Sequence, residues 1–375
     1  MSVSSFRKRF LEVAIYFLRL GLTGFGGPLS LISIMQKDLV ETRKWISLDE
    51  FQQAFALIKS MPGPAAFQTA VYLGRKRAGL VGGALAGIFI ILPAAILVVF
   101  AAHYLEVYGK YKPIQNFLIG MQTAAVVTIA FGLKSFFVPY LKKSDFWMLL
   151  IASAYIFYKG LLPESLLIIG GASLWVIVNK IVFNRGSTAL PMFAFVASGS
   201  PNLSELIKVC VKAGAIVFGT GIAIVPILES DFVQRLHWLT HSEFMNALAI
   251  GQITPGPVMI SVTYIGYKLF GIKGAVIATG AVFGPSFFHM MSWFPSAIQY
   301  LSRQKWIQHF VFAATSIILG TVAVSIASIL SGFHDTAWCY IVLILTALIE
   351  WHFRLPAWAL IPLGGVFGEI VPLFF

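Results

Sequence analysis

The chain has 375 residues, 58% of them hydrophobic and 11% charged, with a formal net charge of +12. Uncharged stretches such as Gly79 to Tyr104 and Gly274 to Ser302 exceed the roughly 20 apolar residues that cross a bilayer, which excludes a soluble globular protein and makes this a polytopic integral membrane protein. The positive charge sits in short clusters between apolar segments, Arg7-Lys8-Arg9, Arg75-Lys76-Arg77 and Lys142-Lys143, a pattern of orientation signals and lipid head-group contacts rather than of nucleic-acid binding.

The basic cluster before the first apolar stretch resembles a signal peptide. However, Glu12 and Arg19 interrupt that stretch, and its Gly24-Phe25-Gly26-Gly27 portion has a partner in the second half. A first membrane helix is therefore expected from about Phe10 to Gln36, carrying small residues that allow close helix approach and leave room for a homodimer. Ser47-Leu48-Asp49-Glu50 has the spacing of a capping box, so a helix starts there. It runs about 14 residues, or about 21 Å, to Lys59-Ser60-Met61-Pro62-Gly63-Pro64, short of the roughly 30 Å apolar core. A Pro-Gly-Pro triplet removes two backbone donors and lets the glycine leave helical geometry, so the helix stops and restarts. A second short helix follows to about Arg77, and then four apolar segments at about 79–108, 112–138, 145–159 and 161–182.

The chain then repeats itself. A shift of 193 residues aligns Phe25-Gly26 with Phe218-Gly219, Asp38 with Asp231, Trp45 with Trp238, Glu50 with Glu243, and Pro62-Gly63-Pro64 with Pro255-Gly256-Pro257. A shift of 192 continues through Tyr72 and Tyr264, Lys76 and Lys268, Gly79 and Gly271, and Pro93 and Pro285. Two homologous units are expected, residues 1–185 and 203–375, joined by a Ser-, Gly- and Pro-rich loop at 186–202. The second unit carries a helix from Leu203 to Leu228, the cap Thr240-His241-Ser242-Glu243, and apolar segments at about 271–300, 305–332, 335–350 and 355–374. The fold class is thus all-α, with two repeats of about five transmembrane helices, each with a re-entrant hairpin broken at Pro-Gly-Pro. Five crossings per unit invert the second repeat, whereas a single broken crossing would make the repeats parallel. Inversion is preferred because it gives alternating access.

Broken helices at matching positions of two repeats point to a binding site. Around them the candidates are Lys59, Pro62, Gly63, Pro64, Ala65 and Gln68 in the first unit, and Gln252, Pro255, Gly256 and Pro257 in the second. Lys59 is the only charge between Phe51 and Gly74, and an intramembrane ammonium beside the free amides of a restarting helix makes an anion site. The amides near Ala66 and Val258, with Thr69, Ser261 and Thr263, are further donors, and Gly26, Gly27, Gly219 and Gly221 line the same cavity or pack helices. Gating or coupling falls to Arg43, Asp38, Glu50, Asp231, Glu243 and His289. Of these, Glu50 and Glu243 are explained by helix capping, and His289 is read as packed deep in a charge-free segment. Glu164 beside Lys159 reads as a helix-end pair. Cys210 and Cys339 have no metal or redox spacing, and no P-loop, dinucleotide fingerprint or catalytic motif is present, so neither enzyme activity nor a cofactor or metal is expected.

Phe25-Gly26-Gly27-Pro28, Arg43-Lys44-Trp45, Pro62-Gly63-Pro64 with Gln68, and Tyr72-Leu73-Gly74 carry a specific combination of motifs. Phe218-Gly219, Trp238, Gln252, Pro255-Gly256-Pro257 and Tyr264-Ile265-Gly266 carry it again in the second half. Through them the sequence resembles the long, two-repeat form of the chromate ion transporter family over both halves. The resemblance implies a protein of the prokaryotic inner membrane that exports chromate with the proton motive force, its repeats related by inverted topology. Two departures stand out: Lys59 replaces a neutral glutamine, and Phe218-Gly219-Thr220-Gly221 replaces a run of glycines. Sulfate, a tetrahedral dianion like chromate, is the competing substrate. A passive anion channel is the alternative from another class, and coupling to a proton gradient separates it from a carrier.

Overall fold

The computed structural model describes residues 3–25, 27–59, 61–183, 200–217, 221, 224–301, 304–331 and 338–374, so most of the joining loop expected at 186–202 lies outside the described residues. All regular structure among the described residues is helical. The first half holds α1 (Val3–Thr23), α2 (Gly27–Met35), α3 (Leu48–Ile58), α4 (Ala65–Tyr108), α5 (Lys112–Phe137), α6 (Ser144–Tyr158) and α7 (Glu164–Phe183). The second holds α8 (Leu203–Ile216), α9 (Ile224–Leu228), α10 (His241–Ile253), α11 (Ser261–Met291), α12 (Phe294–Leu301), α13 (Lys305–Ser331), α14 (Trp338–Phe353) and α15 (Ala357–Ile370). Five of these, α4, α5, α11, α13 and α15 with their terminal turns, are long and apolar enough to cross a membrane. Ile88, Leu92, Ile96 and Phe100 form an exposed i, i+4 stripe on α4, as a lipid-facing helix requires.

The duplication is visible in the backbone itself. Wide turns with i to i+5 hydrogen bonds follow α2 at Gln36–Thr42 and α9 at Glu229–Arg235, 193 residues apart. Lys44 and His237, also 193 apart, both take φ 52°.

As one straight helix, α4 would be about 66 Å long, twice the apolar core. Instead it reverses at Ala78 and Gly79, where Gly79 has φ 65° and ψ −157°. The arms 65–77 and 80–108 pack antiparallel, so closely that a Cβ on Gly74 would overlap the Gly82 carbonyl. Phe270 and Gly271 reverse α11 in the same way, and the hydroxyls of Thr263 and Thr279 meet at 2.7 Å across its two arms.

The segments expected as single helices, Phe10 to Gln36 and Leu203 to Leu228, are each broken. After Gly24 the chain doubles back, and Asp38 beyond α2 accepts a 3.3 Å hydrogen bond from the Tyr16 hydroxyl of α1. Likewise Asp231 beyond α9 pairs with Lys212 of α8. Positive φ angles at Gly27 (80°) and Gly221 (85°) supply the turns.

Ion pairs fix the direction of each broken hairpin. Glu50 at the start of α3 binds Lys76 Nζ at 2.7 Å and accepts from the Tyr72 hydroxyl at 3.2 Å, so the first hairpin returns to the end of the bundle it left. Lys268 and Glu243 close the second hairpin at 3.3 Å. Arg75 donates to the carbonyl of Met290 at 2.9 Å, and His103 Nδ1 lies 2.9 Å from the Tyr267 hydroxyl. The long arms of α4 and α11 therefore run antiparallel, and the hairpins enter from opposite ends: the repeats are inverted.

The helices sort into two bundles. One contains both hairpins and is built by α1 on α4, α8 on α11, and α4 on α11. The other exchanges helices between units: α5 packs on α14 and α15, and α13 on α6 and α7. Small residues bring these pairs close, since a Cβ on Gly120 or Gly368 would overlap backbone of the facing helix. Gly21 of α1 and Gly214 of α8 are used the same way against carbonyls of α4 and α11. These small-residue faces are used for packing inside the chain.

Candidate functional site

The two Pro-Gly-Pro tips meet the opposite unit. The Gly63 amide donates to the carbonyl of Val217 at the end of α8, and the Gly256 amide donates at 3.2 Å to the carbonyl of Gly24 at the end of α1. These partners are themselves 193 residues apart, so the arrangement follows the internal symmetry. Gly63 and Gly256 adopt φ 119° and 111°, a region open to glycine and strained for other residues. Pro64 and Pro257 then stand at the N-caps in extended conformation without capping side chains. The first-turn amides of Ala65, Ala66 and Phe67 have no intrahelical acceptor by geometry. All three residues are buried, so a helix N-terminus points unsatisfied donors at the tip, the arrangement that binds oxyanions.

The two glutamines are held differently. Gln68, fully buried, donates from Nε2 to the Pro62 carbonyl at 2.6 Å and to Ser286 Oγ at 3.3 Å, leaving its Oε1 without a partner. Gln252 accepts from Thr128 of α5 through Oε1, and its Nε2 is sealed from solvent without an acceptor. That free amide group is a ready donor for an anion. Lys59 is the C-cap of α3, is exposed, and holds its ammonium 5.4 Å above the Phe55 ring.

Of the other expected site residues, Gly221 lies against Met259 at the second tip and Gly27 starts α2, while Gly26 and Gly219 lie outside the described residues. The hydroxyls of Thr69 and Ser261 bond the carbonyls of Ala65 and Val258, and Thr263 bonds Thr279, so these three stabilise their own helices. The gating candidates sit at the bases of the hairpins. Arg43 lies 3.5 Å from Glu12 and over the Tyr16 ring. Asp231 is paired with Lys212 and Arg235, and Glu243 completes the capping box with Thr240. His289 is not deep: it occupies the last turn of α11 and accepts from Trp293 Nε1 at 3.0 Å. Glu164 does not pair with Lys159, whose ammonium covers the Tyr158 ring. It is 3% exposed and accepts from Thr321 of α13 at 2.8 Å, because α7 begins beneath that helix.

Sequence reasoning missed Val217, Gly24, Thr128 and Ser286, which bind the tips from other helices. Ser286 follows Pro285, the repeat partner of Pro93, and that matched proline was the available signal.

The sequence profile described as "Chromate transporter" matches residues 11–177 and 204–369. A "Probable chromate transport protein" from Synechococcus elongatus is 30% identical over 96% of this chain and 95% of its own length. A "Chromate transport protein" from Cupriavidus metallidurans is 33% identical over 74% of this chain and 72% of its own, and an "Uncharacterized transporter" from Methanocaldococcus jannaschii is 26% identical over 84% of each. No solved structure matches. With both halves matched and each unit carrying its own broken hairpin, this integral membrane chain belongs to the chromate transporter family.

Proposed function

We propose that the protein is a secondary carrier that moves chromate out across the prokaryotic cytoplasmic membrane, driven by the proton motive force. Its working units are taken as residues 1–185 and 203–375. The observation that carries this reading is the meeting of two inverted broken hairpins, each with its glycine amide seated on the other unit's first helix. Inverted hairpins give a site two equivalent ways of closing, one toward each face of the membrane. Anion recognition is assigned to the uncapped amides after Pro64 and Pro257, the free amide of Gln252, and Lys59 at the first tip. Sulfate presents the same tetrahedral oxygens and competes for these donors.

The test is chromate flux in proteoliposomes under an imposed pH gradient, with sulfate as competitor. Gradient-dependent movement and counterflow of labelled chromate are expected. Flux that follows the chromate gradient alone, without counterflow, would indicate a passive pore. A Lys59→Gln variant run alongside should change sulfate competition.

A further inference from the structure

The inverted repeats are alike in backbone but not in how their hairpins dock. In the second unit α10 lies along α5: Gln122 donates to Asn246 at 2.9 Å and to Ser242 Oγ at 3.1 Å, and Thr128 donates to Gln252. The α10 residues Met245 and Ala249 are fully buried there. A shift of 193 residues turns α5 into α13, with Lys112, Ile114, Gln115 and Phe117 matching Lys305, Ile307, Gln308 and Phe310. The same shift turns α10 into α3. Yet on α3 the matching face, Gln52, Gln53 and Lys59, is exposed. One hairpin is docked on the flanking bundle and its twin is not.

Applying the internal symmetry places the undocked hairpin. Gln252 maps to Lys59, Thr128 to Thr321, and Ala357 at the start of α15 to Glu164 at the start of α7. In the docked half a neutral glutamine meets a threonine on the helix that also packs α15. In the other half the same positions hold a cation, a threonine and a carboxylate. Thr321 already binds Glu164, whose second oxygen is sealed from solvent without a hydrogen-bond partner. Lys212 is engaged by Asp231.

We infer that the protein has a second state in which α3 docks along α13 and the Lys59 ammonium pairs with Glu164 beside Thr321, while α10 leaves α5. This rests on the carrier reading and deepens it, because Lys59 then alternates between the substrate tip and a buried counter-ion. A buried carboxylate with an empty oxygen is costly alone, and it is matched in the state where the cation arrives. Chromate at the first tip competes with Glu164 for Lys59, so occupied and empty carriers prefer different states.

Two measurements test this. Disulfide trapping of Gln53→Cys with Thr315→Cys, the symmetry mates of the Asn246 and Gln122 contact, should form in membranes and stop transport until reduced. The Gln122→Cys, Asn246→Cys pair should trap the present state. Failure of the first pair to link while the second links overturns the proposal, and neither result depends on chromate moving. Second, Lys59→Gln and Glu164→Ala each strand one buried partner and should slow saturated turnover at least about tenfold, or about 1.4 kcal/mol of barrier. The double variant rebuilds the pairing seen at Gln252 and Ala357 and should recover to within about threefold of the parent. A double variant no faster than the slower single one overturns the pairing. Absence of chromate exchange in the parent protein, with the first disulfide still forming, would instead count against chromate as the cargo.

Discussion

Gly256 donates its amide hydrogen to the carbonyl oxygen of Gly24 over 3.2 Å, so the tip of the second hairpin is fastened to the first helix of the opposite unit. Its mate, Gly63 on Val217, does the same in the other direction. The tips are therefore shared structures, and substitutions there should act on both units.

The two glycines should nonetheless differ. A Cβ on Gly63 would overlap Ser286 Oγ and Gln68 Nε2, whereas on Gly256 the nearest atoms, Ala94 Cβ and the Ile90 oxygen, lie 3.6 Å away. Both substitutions incur the left-handed backbone penalty of about 1–2 kcal/mol, and only Gly63→Ala adds an overpacking cost of about 1–3 kcal/mol. Chromate flux should fall further in Gly63→Ala than in Gly256→Ala, with both proteins monodisperse in detergent. Equal losses would mean that the Ser286 contact is slack.

Gln252 offers the free donor. Replacing it with leucine removes one hydrogen bond to a charged ligand, about 1.5–3 kcal/mol, and should weaken chromate binding about tenfold or more in a direct titration. Unchanged affinity in Gln252→Leu would take this side chain out of the site.

Lys59 should act through charge. Lys59→Ala is expected to lower apparent chromate affinity severalfold while Lys142→Ala does not, and the difference should shrink as salt rises, because an exposed charge is screened within about 8–10 Å. A salt-independent deficit would point to a packing role.

At the base of the first hairpin, Glu12 should matter more than Glu50. Glu12 takes Arg77 at 2.7 Å, Arg43 at 3.5 Å and Trp45 Nε1 at 3.1 Å. The Glu50 pair with Lys76 is more exposed, and such pairs contribute about 0.2–1 kcal/mol. Glu12→Ala should lower the thermal midpoint of the purified protein more than Glu50→Ala, and the reverse order would contradict the geometry.

Local chemistry was the part legible from sequence. Proline lacks a donor and Ser47 and Thr240 cap helices, so both breaks and both hairpin starts are where the residues put them, and the repeat follows from matched punctuation. Distant partners were not legible: nothing in Gln252 names Thr128, 124 positions away. The doubling back after Gly24 was hidden because the Gly24-Phe25-Gly26-Gly27 cluster reads equally well as helix packing. Lys159 lies only five positions before Glu164, so a surface pair was the local reading, and the overlying α13 belongs to the other half of the chain.

The exchange of helices between units has a consequence for how the molecule is made. Gly120 on α5 finds its seat against Gly364 on α15, so during synthesis a helix of the first unit waits for its partner in the second. Neither half is then a separate folding unit. A polypeptide ending before Ala357 would leave α5 with an empty groove facing lipid, and two half-length chains would fold only by clasping one another.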